Sequence, residues 1–118
     1  MKKRPSHHEL NGKLKMAAEA AASGLIHLVE PIPILADLTE LGILPEDLPE
    51  VIAEILLEIG PKHYKGSKPP AKSYEVPIKG CELYAFTWRS KALGGLMYFK
   101  FTLKAGVLWI ASLHGDRN

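Results

Sequence analysis

The sequence predicts a single α+β domain in which N-terminal helices pack on one face of a C-terminal, mainly antiparallel β-sheet. The chain has 118 residues, of which 47% are hydrophobic, and this suits one core and excludes two full domains. Apolar residues recur at helical spacing over about 11–60, whereas strand-like segments fill about 73–114. Helices followed by strands, joined by a turn-rich basic connector at 61–72, are typical of this fold class.

The first helix is predicted from Asn11 to Ser23, with alanines on its buried side and Gly24 at its end. An earlier start stays open, because Ser6 and Glu9 have the spacing of a capping box. A short second helix is expected from Pro33 to Gly42.

The third helix is predicted to follow a capping box of Asp47 and Glu50 and to end at Gly60 and Pro61. Acidic residues recur every four positions on its polar side, namely Glu46, Glu50, Glu54 and Glu58. Like charges at this spacing repel each other. A basic partner on this acidic ridge and a plain solvated face therefore both stay open.

Three strands are predicted, Cys81–Arg89, Leu96–Lys104 and Val107–His114, and Pro77 demotes Tyr74–Ile78 to an edge strand. In the last hairpin, the apolar pattern favours a three-residue loop that ends at Gly106. This register pairs Leu103 with Val107, Phe101 with Trp109, Phe99 with Ala111 and Met97 with Leu113.

The opposite face of this hairpin is predicted to carry Tyr98, Lys100 and His114 together, with Tyr98 opposite Ser112. A phenol, an ammonium and an imidazole suit an anionic substrate, because lysine neutralises phosphate while histidine or tyrosine moves a proton. Ordinary surface decoration of an exposed sheet is the alternative.

Charge is segregated along the chain. Residues 16–61 hold nine acids and no Lys or Arg, whereas residues 62–118 hold ten Lys or Arg and three acids. This dipole favours contact with a polyanion on the basic half and with a basic surface on the acidic half.

The remaining sequence features indicate a soluble cytoplasmic protein. The single cysteine, Cys81, cannot form an internal disulfide, and the apolar runs Val51–Ile59 and Val107–Leu113 are shorter than a membrane helix requires. The first residues lack the apolar stretch of a signal peptide. A metal centre is disfavoured because His7 and His8 lack the spacing of a chelating pair.

Seven short stretches, in order along nearly the whole chain, match one known family. They are Lys3-Arg4-Pro5-Ser6-His7-His8-Glu9-Leu10, Glu40-Leu41-Gly42, Val51-Ile52, His63-Tyr64-Lys65, Glu82-Leu83-Tyr84, Met97-Tyr98-Phe99-Lys100 and Ala111-Ser112-Leu113. With these stretches the chain resembles the MqsR-type toxins, messenger-RNA interferases of the RelE-like superfamily from bacterial toxin-antitoxin systems.

The resemblance implies a metal-independent, cofactor-free endoribonuclease that cleaves messenger RNA and is neutralised by a cognate antitoxin. The implied catalytic positions are Lys65, Tyr98 and the residue after Ser112-Leu113, which is His114 here and usually lysine in the family. Cys81 stands where the family usually has glutamine.

The mechanism expected from these residues is attack by the RNA's own 2′-hydroxyl on the adjacent phosphorus. Lys65 and Lys100 would hold the phosphate, and Tyr98 and His114 would move protons or orient the strand. Further RNA contacts are expected from Lys68, Arg89 and Arg117.

Two alternatives from other classes stay open. One is a non-catalytic RNA- or partner-binding module that uses the same basic sheet face. The other is a homodimer or larger oligomer joined through the acidic ridge and the basic connector.

Overall fold

A computed structural model describes residues 4–65 and 69–116, and in this part of the chain three helices accompany a five-stranded mixed sheet. The helices are α1 (His7–Ala22), α2 (Pro31–Glu40) and α3 (Leu48–Glu58). The strands are β1 (Ile26–Leu28), β2 (Ala71–Lys72), β3 (Glu82–Ser90), β4 (Gly95–Lys104) and β5 (Val107–Gly115). The spatial order is β1-β5-β4-β3-β2, so the predicted α+β class is confirmed.

Helix α1 begins at the earlier of the two predicted positions. The Ser6 side chain accepts a hydrogen bond from the Glu9 backbone N–H at 3.1 Å and caps the helix, so the start at Asn11 was wrong. Leu10, Leu14 and Ala17 are buried along the inner side of the helix. The alanine-rich side faces the core, as the sequence predicted.

The other two helices differ from the prediction at their ends. Helix α2 begins at Pro31, whose missing N–H suits the first helical turn, and ends at Glu40. Asp47 is the N-cap of α3, but its side chain makes no capping bond, so the predicted capping box was wrong. The 3₁₀ turn Pro45–Asp47 leads directly into this helix and replaces the capping box.

Two short strands escaped the sequence analysis. Strand β1 pairs in parallel with β5, where the Leu108 N–H donates to the Leu25 carbonyl at 2.9 Å. Strand β2 lies inside the predicted connector, whereas Tyr74–Ile78 forms no strand and contains the 3₁₀ turn Val76–Ile78. Segments of two or three residues are too short to show a strand period.

The predicted register of the β4–β5 hairpin was wrong. Lys104 pairs with Val107, so the loop has two residues, Ala105 and Gly106, with φ of +52° and +76°. Positive φ at both positions is the type I′ turn that matches the twist of the flanking strands. Trp109 therefore lies opposite Thr102 and not opposite Phe101.

A β-bulge then shifts the register. Phe101 pairs with Ile110 but Lys100 pairs with Ser112, so Ala111 is an extra residue in β5. Beyond the bulge, Phe99 lies opposite Leu113 and Tyr98 lies opposite His114. Tyr98, Lys100 and His114 consequently share the face that the sequence predicted, although Tyr98 does not face Ser112.

The core lies between the helices and the inner face of the sheet. Its central aromatic side chains, Phe86, Phe99 and Phe101, are fully buried, and Ile52 and Ile55 of α3 are buried with them. The opposite, outer face of β3 and β4 carries Thr87, Tyr98 and Lys100, which are partly exposed. In the described ranges, no helix has the length and apolar character needed to cross a membrane.

The acidic ridge of α3 is shorter than predicted, because Glu58 is engaged by the β3–β4 turn. Its carboxylate accepts hydrogen bonds from Trp88 Nε1 at 3.0 Å and from Ser90 Oγ at 2.7 Å. The backbone N–H groups of Lys91 and Ala92 donate to its other oxygen at 2.9 and 3.1 Å. Glu46, Glu50 and Glu54 remain exposed.

Burial raises the pKa of the Glu58 carboxyl, but the four donated hydrogen bonds outweigh burial and hold the pKa below its ordinary value. Because the pKa is lower in the folded state, the ionised carboxylate stabilises the fold at pH values above the ordinary pKa of a carboxyl group. That stability is lost as the pH falls through the folded-state pKa.

Glu58→Gln is expected to lower the free energy of unfolding by about 1–3 kcal/mol at neutral pH, because an amide N–H₂ would face backbone donors. The difference from the native chain should shrink at a pH below the lowered pKa of Glu58, because protonation of Glu58 removes the same hydrogen-bond acceptor. Urea unfolding at the two pH values measures both effects.

Glu54→Gln is the matched control, because Glu54 is an exposed acid on the same helix. It should change stability by no more than about 0.5 kcal/mol. Equal effects of the two substitutions at neutral pH would contradict a structural role for Glu58.

Candidate functional site

The outer face of the sheet brings together a tyrosine and a histidine from neighbouring strands. Tyr98 of β4 lies directly opposite His114 of β5, with ring centroids 5.2 Å apart and planes inclined by 21°. Both side chains are half-buried. Stacking holds the two rings against each other.

Lys65 reaches the same place from beyond the edge of the sheet. Its Nζ lies 5.0 Å from the centroid of the Tyr98 ring, within the range of a cation–π contact. The Lys65 backbone N–H donates to the Ala85 carbonyl at 2.8 Å, and Tyr64 forms an isolated bridge with Phe86. These backbone contacts hold Lys65 beside β3, next to the strand that carries Tyr98.

The turn before Lys65 is also well fixed. In the 3₁₀ segment Pro61–His63, His63 Nδ1 accepts a hydrogen bond from the Gly60 N–H at 2.9 Å. Burial, assisted by the charge of Lys62, lowers the pKa of His63, which keeps its ring neutral and able to accept. The Arg4 guanidinium lies 5.0 Å from the centroid of the Tyr64 ring. A tethered turn therefore sets the direction from which Lys65 approaches.

The hydrogen bonding of His114 assigns its neutral tautomer. Nδ1 lies 2.7 Å from the Gly115 carbonyl oxygen, which can only accept, so Nδ1 carries the proton. In the neutral ring, Nε2 then holds the lone pair. His114 is thus arranged to accept a proton through Nε2.

Tyr98 has the opposite character. Burial, with a smaller contribution from the negative charge of Asp116, raises the pKa of its phenol. Tyr98 therefore stays protonated across the neutral range and acts as a hydrogen-bond donor. A proton acceptor and a proton donor thus stand side by side.

Of the four remaining residues predicted to contact RNA phosphates, two lie among the described residues, namely Lys100 and Arg89. Lys100 lies opposite Ser112, one outward-facing pair beyond Tyr98 and His114. Arg89 is exposed on β3, two residues beyond Thr87, which lies opposite Tyr98. Lys68 and Arg117 lie outside the described residues.

A cavity of about 340 Å³ adjoins this cluster and was not predicted. Lys100 and Ser112 line it, together with Glu30 at the start of α2 and the segment around Tyr74 and Glu75. The charge of Glu30 and a hydrogen bond with its side chain raise the pKa of Glu75. No sequence pattern joins residues 30 and 75, since only the fold places their carboxyl groups together.

The structure describes Cys81 as a half-buried free thiol that lines a shallow cavity with Lys13 and Glu82. Within 4–65 and 69–116, no group of three His, Cys, Asp or Glu side chains is placed to hold a metal ion.

The tautomer of His114 can be tested in solution. Long-range ¹H–¹⁵N correlation spectra are expected to show that the proton of the neutral His114 ring lies on Nδ1. Most solvent-exposed histidines should show it on Nε2, and His8 on the exposed side of α1 is the internal reference. A proton on Nε2 of His114 would contradict its assignment as the acceptor.

Comparison with models of known protein families and with curated proteins returned no match. A functional assignment therefore rests on the geometry of the site and on the sequence resemblance.

Proposed function

We propose that this protein is a metal-independent endoribonuclease that cleaves messenger RNA through attack by the 2′-hydroxyl. The observation that carries the proposal is the convergence of Lys65, Tyr98 and His114 on one open sheet face. The ring of Tyr98 contacts both partners, the Lys65 ammonium at 5.0 Å and the His114 ring at 5.2 Å. An ammonium, a phenol and a neutral imidazole are the groups that this reaction needs.

In the proposed reaction, His114 Nε2 takes the proton of the 2′-hydroxyl as the 2′-oxygen bonds to phosphorus. The bond from phosphorus to the 5′-oxygen breaks, and Tyr98 donates its proton to that leaving oxygen. The products are a 2′,3′-cyclic phosphate and a free 5′-hydroxyl. The Lys65 charge stabilises the extra negative charge on phosphate and on the transient Tyr98 phenolate.

The surrounding charges support binding of an extended RNA strand. Lys100 lies on the same face as Tyr98, and Arg89 lies on the exposed end of β3. Each would contact a phosphate next to the scissile one, and such contacts position the strand without reading its sequence. Lys68 and Arg117 keep the same proposed role.

The resemblance to MqsR-type toxins adds a biological setting to this chemistry. It supports a RelE-like toxin that acts in the cytoplasm and is neutralised by a cognate antitoxin. The exposed part of the acidic ridge, Glu50 and Glu54 on α3 and Glu46 in the turn before it, suits a basic surface on that partner. Binding and inhibition by a small protein encoded beside this chain would support the setting, and inhibition should weaken with salt if the ridge is used.

His114→Ala and Tyr98→Phe are each expected to slow cleavage of a mixed-sequence RNA by about 10²–10⁴-fold, since each removes a proton-transfer group. Lys65→Ala should slow it by about 10²–10³-fold, because a charge that stabilises the transition state is lost. Rates are measured with excess EDTA present. Product analysis should find cyclic phosphate and 5′-hydroxyl ends.

Lys15→Ala and His8→Ala are the matched controls, since both residues are exposed on α1, which packs against the inner face of the sheet, opposite the face that carries the two rings and the Lys65 amine. Both variants should cleave at the native rate. Native rates in all three site variants, or loss of activity in EDTA, would overturn the proposal.

A binding module without catalysis is the second candidate, and a second aromatic pair favours it. His27 and Trp109 lie opposite each other on β1 and β5 with ring centroids 4.8 Å apart. Aromatic rings on a basic sheet are the usual platform for unpaired bases. Retention of RNA and of its 2′-deoxy analogue, without cleavage of the RNA, would favour this candidate.

A further inference from the structure

The cavity beside Lys100 lies one step along the sheet from the proposed reaction centre. The pair of Lys100 and Ser112 follows the pair of Tyr98 and His114 on the same face. Two residues of a strand span about 7 Å, so a nucleotide whose phosphate meets Tyr98 would have its base within reach of the cavity. The volume of about 340 Å³ suits a single small planar ligand.

The walls of the cavity combine donors and acceptors of hydrogen bonds. Lys72 and Lys100 supply ammonium groups, and Glu30 and Glu75 supply carboxyl groups. Two positive and two negative charges balance, so the cavity as a whole is not an anion site. A neutral ring with polar edges fits these walls better than a second phosphate does.

The Glu30 and Glu75 carboxyl groups lie near each other, since the negative charge of Glu30 raises the pKa of Glu75. Glu30 lies at the start of α2 and Glu75 lies between β2 and β3, and together they form one wall of the cavity. An ionised carboxylate only accepts hydrogen bonds. This wall therefore suits an amino group, which donates two N–H bonds, and disfavours a carbonyl oxygen.

The rim of the cavity offers a surface for stacking. Tyr74 lines the cavity and is 91% exposed, unlike the buried tyrosines of the core. Exposed aromatic rings beside polar pockets are how many proteins hold an unpaired base by its flat side and by its edge.

We propose that this cavity holds the nucleobase next to the scissile phosphate and selects bases with an exocyclic amino group over uracil. The inference rests on the proposed function, since it takes the nucleotide at Tyr98 as the substrate. Uracil is disfavoured because its N3–H is flanked by two carbonyl oxygens that would face the carboxyl groups. Guanine, adenine and cytosine each bring an amino group to the same wall.

Two single-stranded pools with the same short randomised stretch test the inference. The first is RNA, and sequencing of its newly formed 5′-hydroxyl ends maps the bases around each cut. The second is uncleavable DNA that carries deoxyuridine in place of thymidine, and its protein-bound fraction is sequenced. Variants are Glu30→Gln and Glu75→Gln, alone and combined, with Glu40→Gln at the exposed end of α2 as the matched control.

The native chain is expected to disfavour uracil by about tenfold at one position beside the cut, the size of a good base contact. The combined variant should reduce this to less than about threefold, because an amide N–H₂ can donate to the carbonyls of uracil. Glu40→Gln should keep the native preference. Cleavage without any base preference, or an unchanged preference in the combined variant, would overturn the inference while leaving the proposed function intact.

The DNA pool separates failure of the inference from failure of the proposed function. The native chain could cut no RNA and still bind DNA that is poor in deoxyuridine. If the combined variant then loses this bias, the result supports the base pocket and contradicts the proposed nuclease activity. If neither pool shows a base preference, the pocket is overturned whatever the cleavage rate.

Discussion

One extra residue in β5 governs what the outer face of the sheet can do. Ile110 and Leu113 are both fully buried, yet they are three residues apart, and a regular strand sends such residues to opposite faces. The bulge at Ala111 absorbs the odd residue, so that both side chains reach the core. The same bulge turns His114 outward beside Tyr98, and the burial of Leu113 thus sets the position of the imidazole.

The predicted register placed Tyr98 and His114 on the correct outer face but put Trp109 on the core face, where Leu108 and Ile110 lie instead. It replaced a two-residue turn and a bulge by one three-residue loop, which shifts the pairing of Tyr98 from His114 to Ser112. The shift is two residues, and strand faces repeat every two residues, so Tyr98 and His114 stay on one side. The spacing of Ile110 and Leu113 was the signal of the bulge, since no regular strand can bury both.

Features that depend on contacts distant in sequence could not be predicted from the sequence. The resemblance implied a role for Lys65, but its position over Tyr98 follows from the bridge between Tyr64 and Phe86. The strand at Ile26–Leu28 forms because it pairs in parallel with β5. Three residues are too few to show the alternation of apolar and polar side chains that predicts a strand. Glu58 looked like one more solvated acid, and only the folded β3–β4 turn brings four donors to it.

The histidine at position 114 changes the direction in which a proton can move at this site. A lysine, usual at this position in the family that the chain resembles, carries only donors, whereas a neutral imidazole carries one acceptor. The bond from Nδ1 to the Gly115 carbonyl leaves that acceptor on Nε2. Lys65 meanwhile supplies positive charge at 5.0 Å from the Tyr98 ring. The cation and the proton acceptor are therefore supplied by two residues, and a histidine at position 114 is compatible with the proposed cleavage because Lys65 already provides the cation.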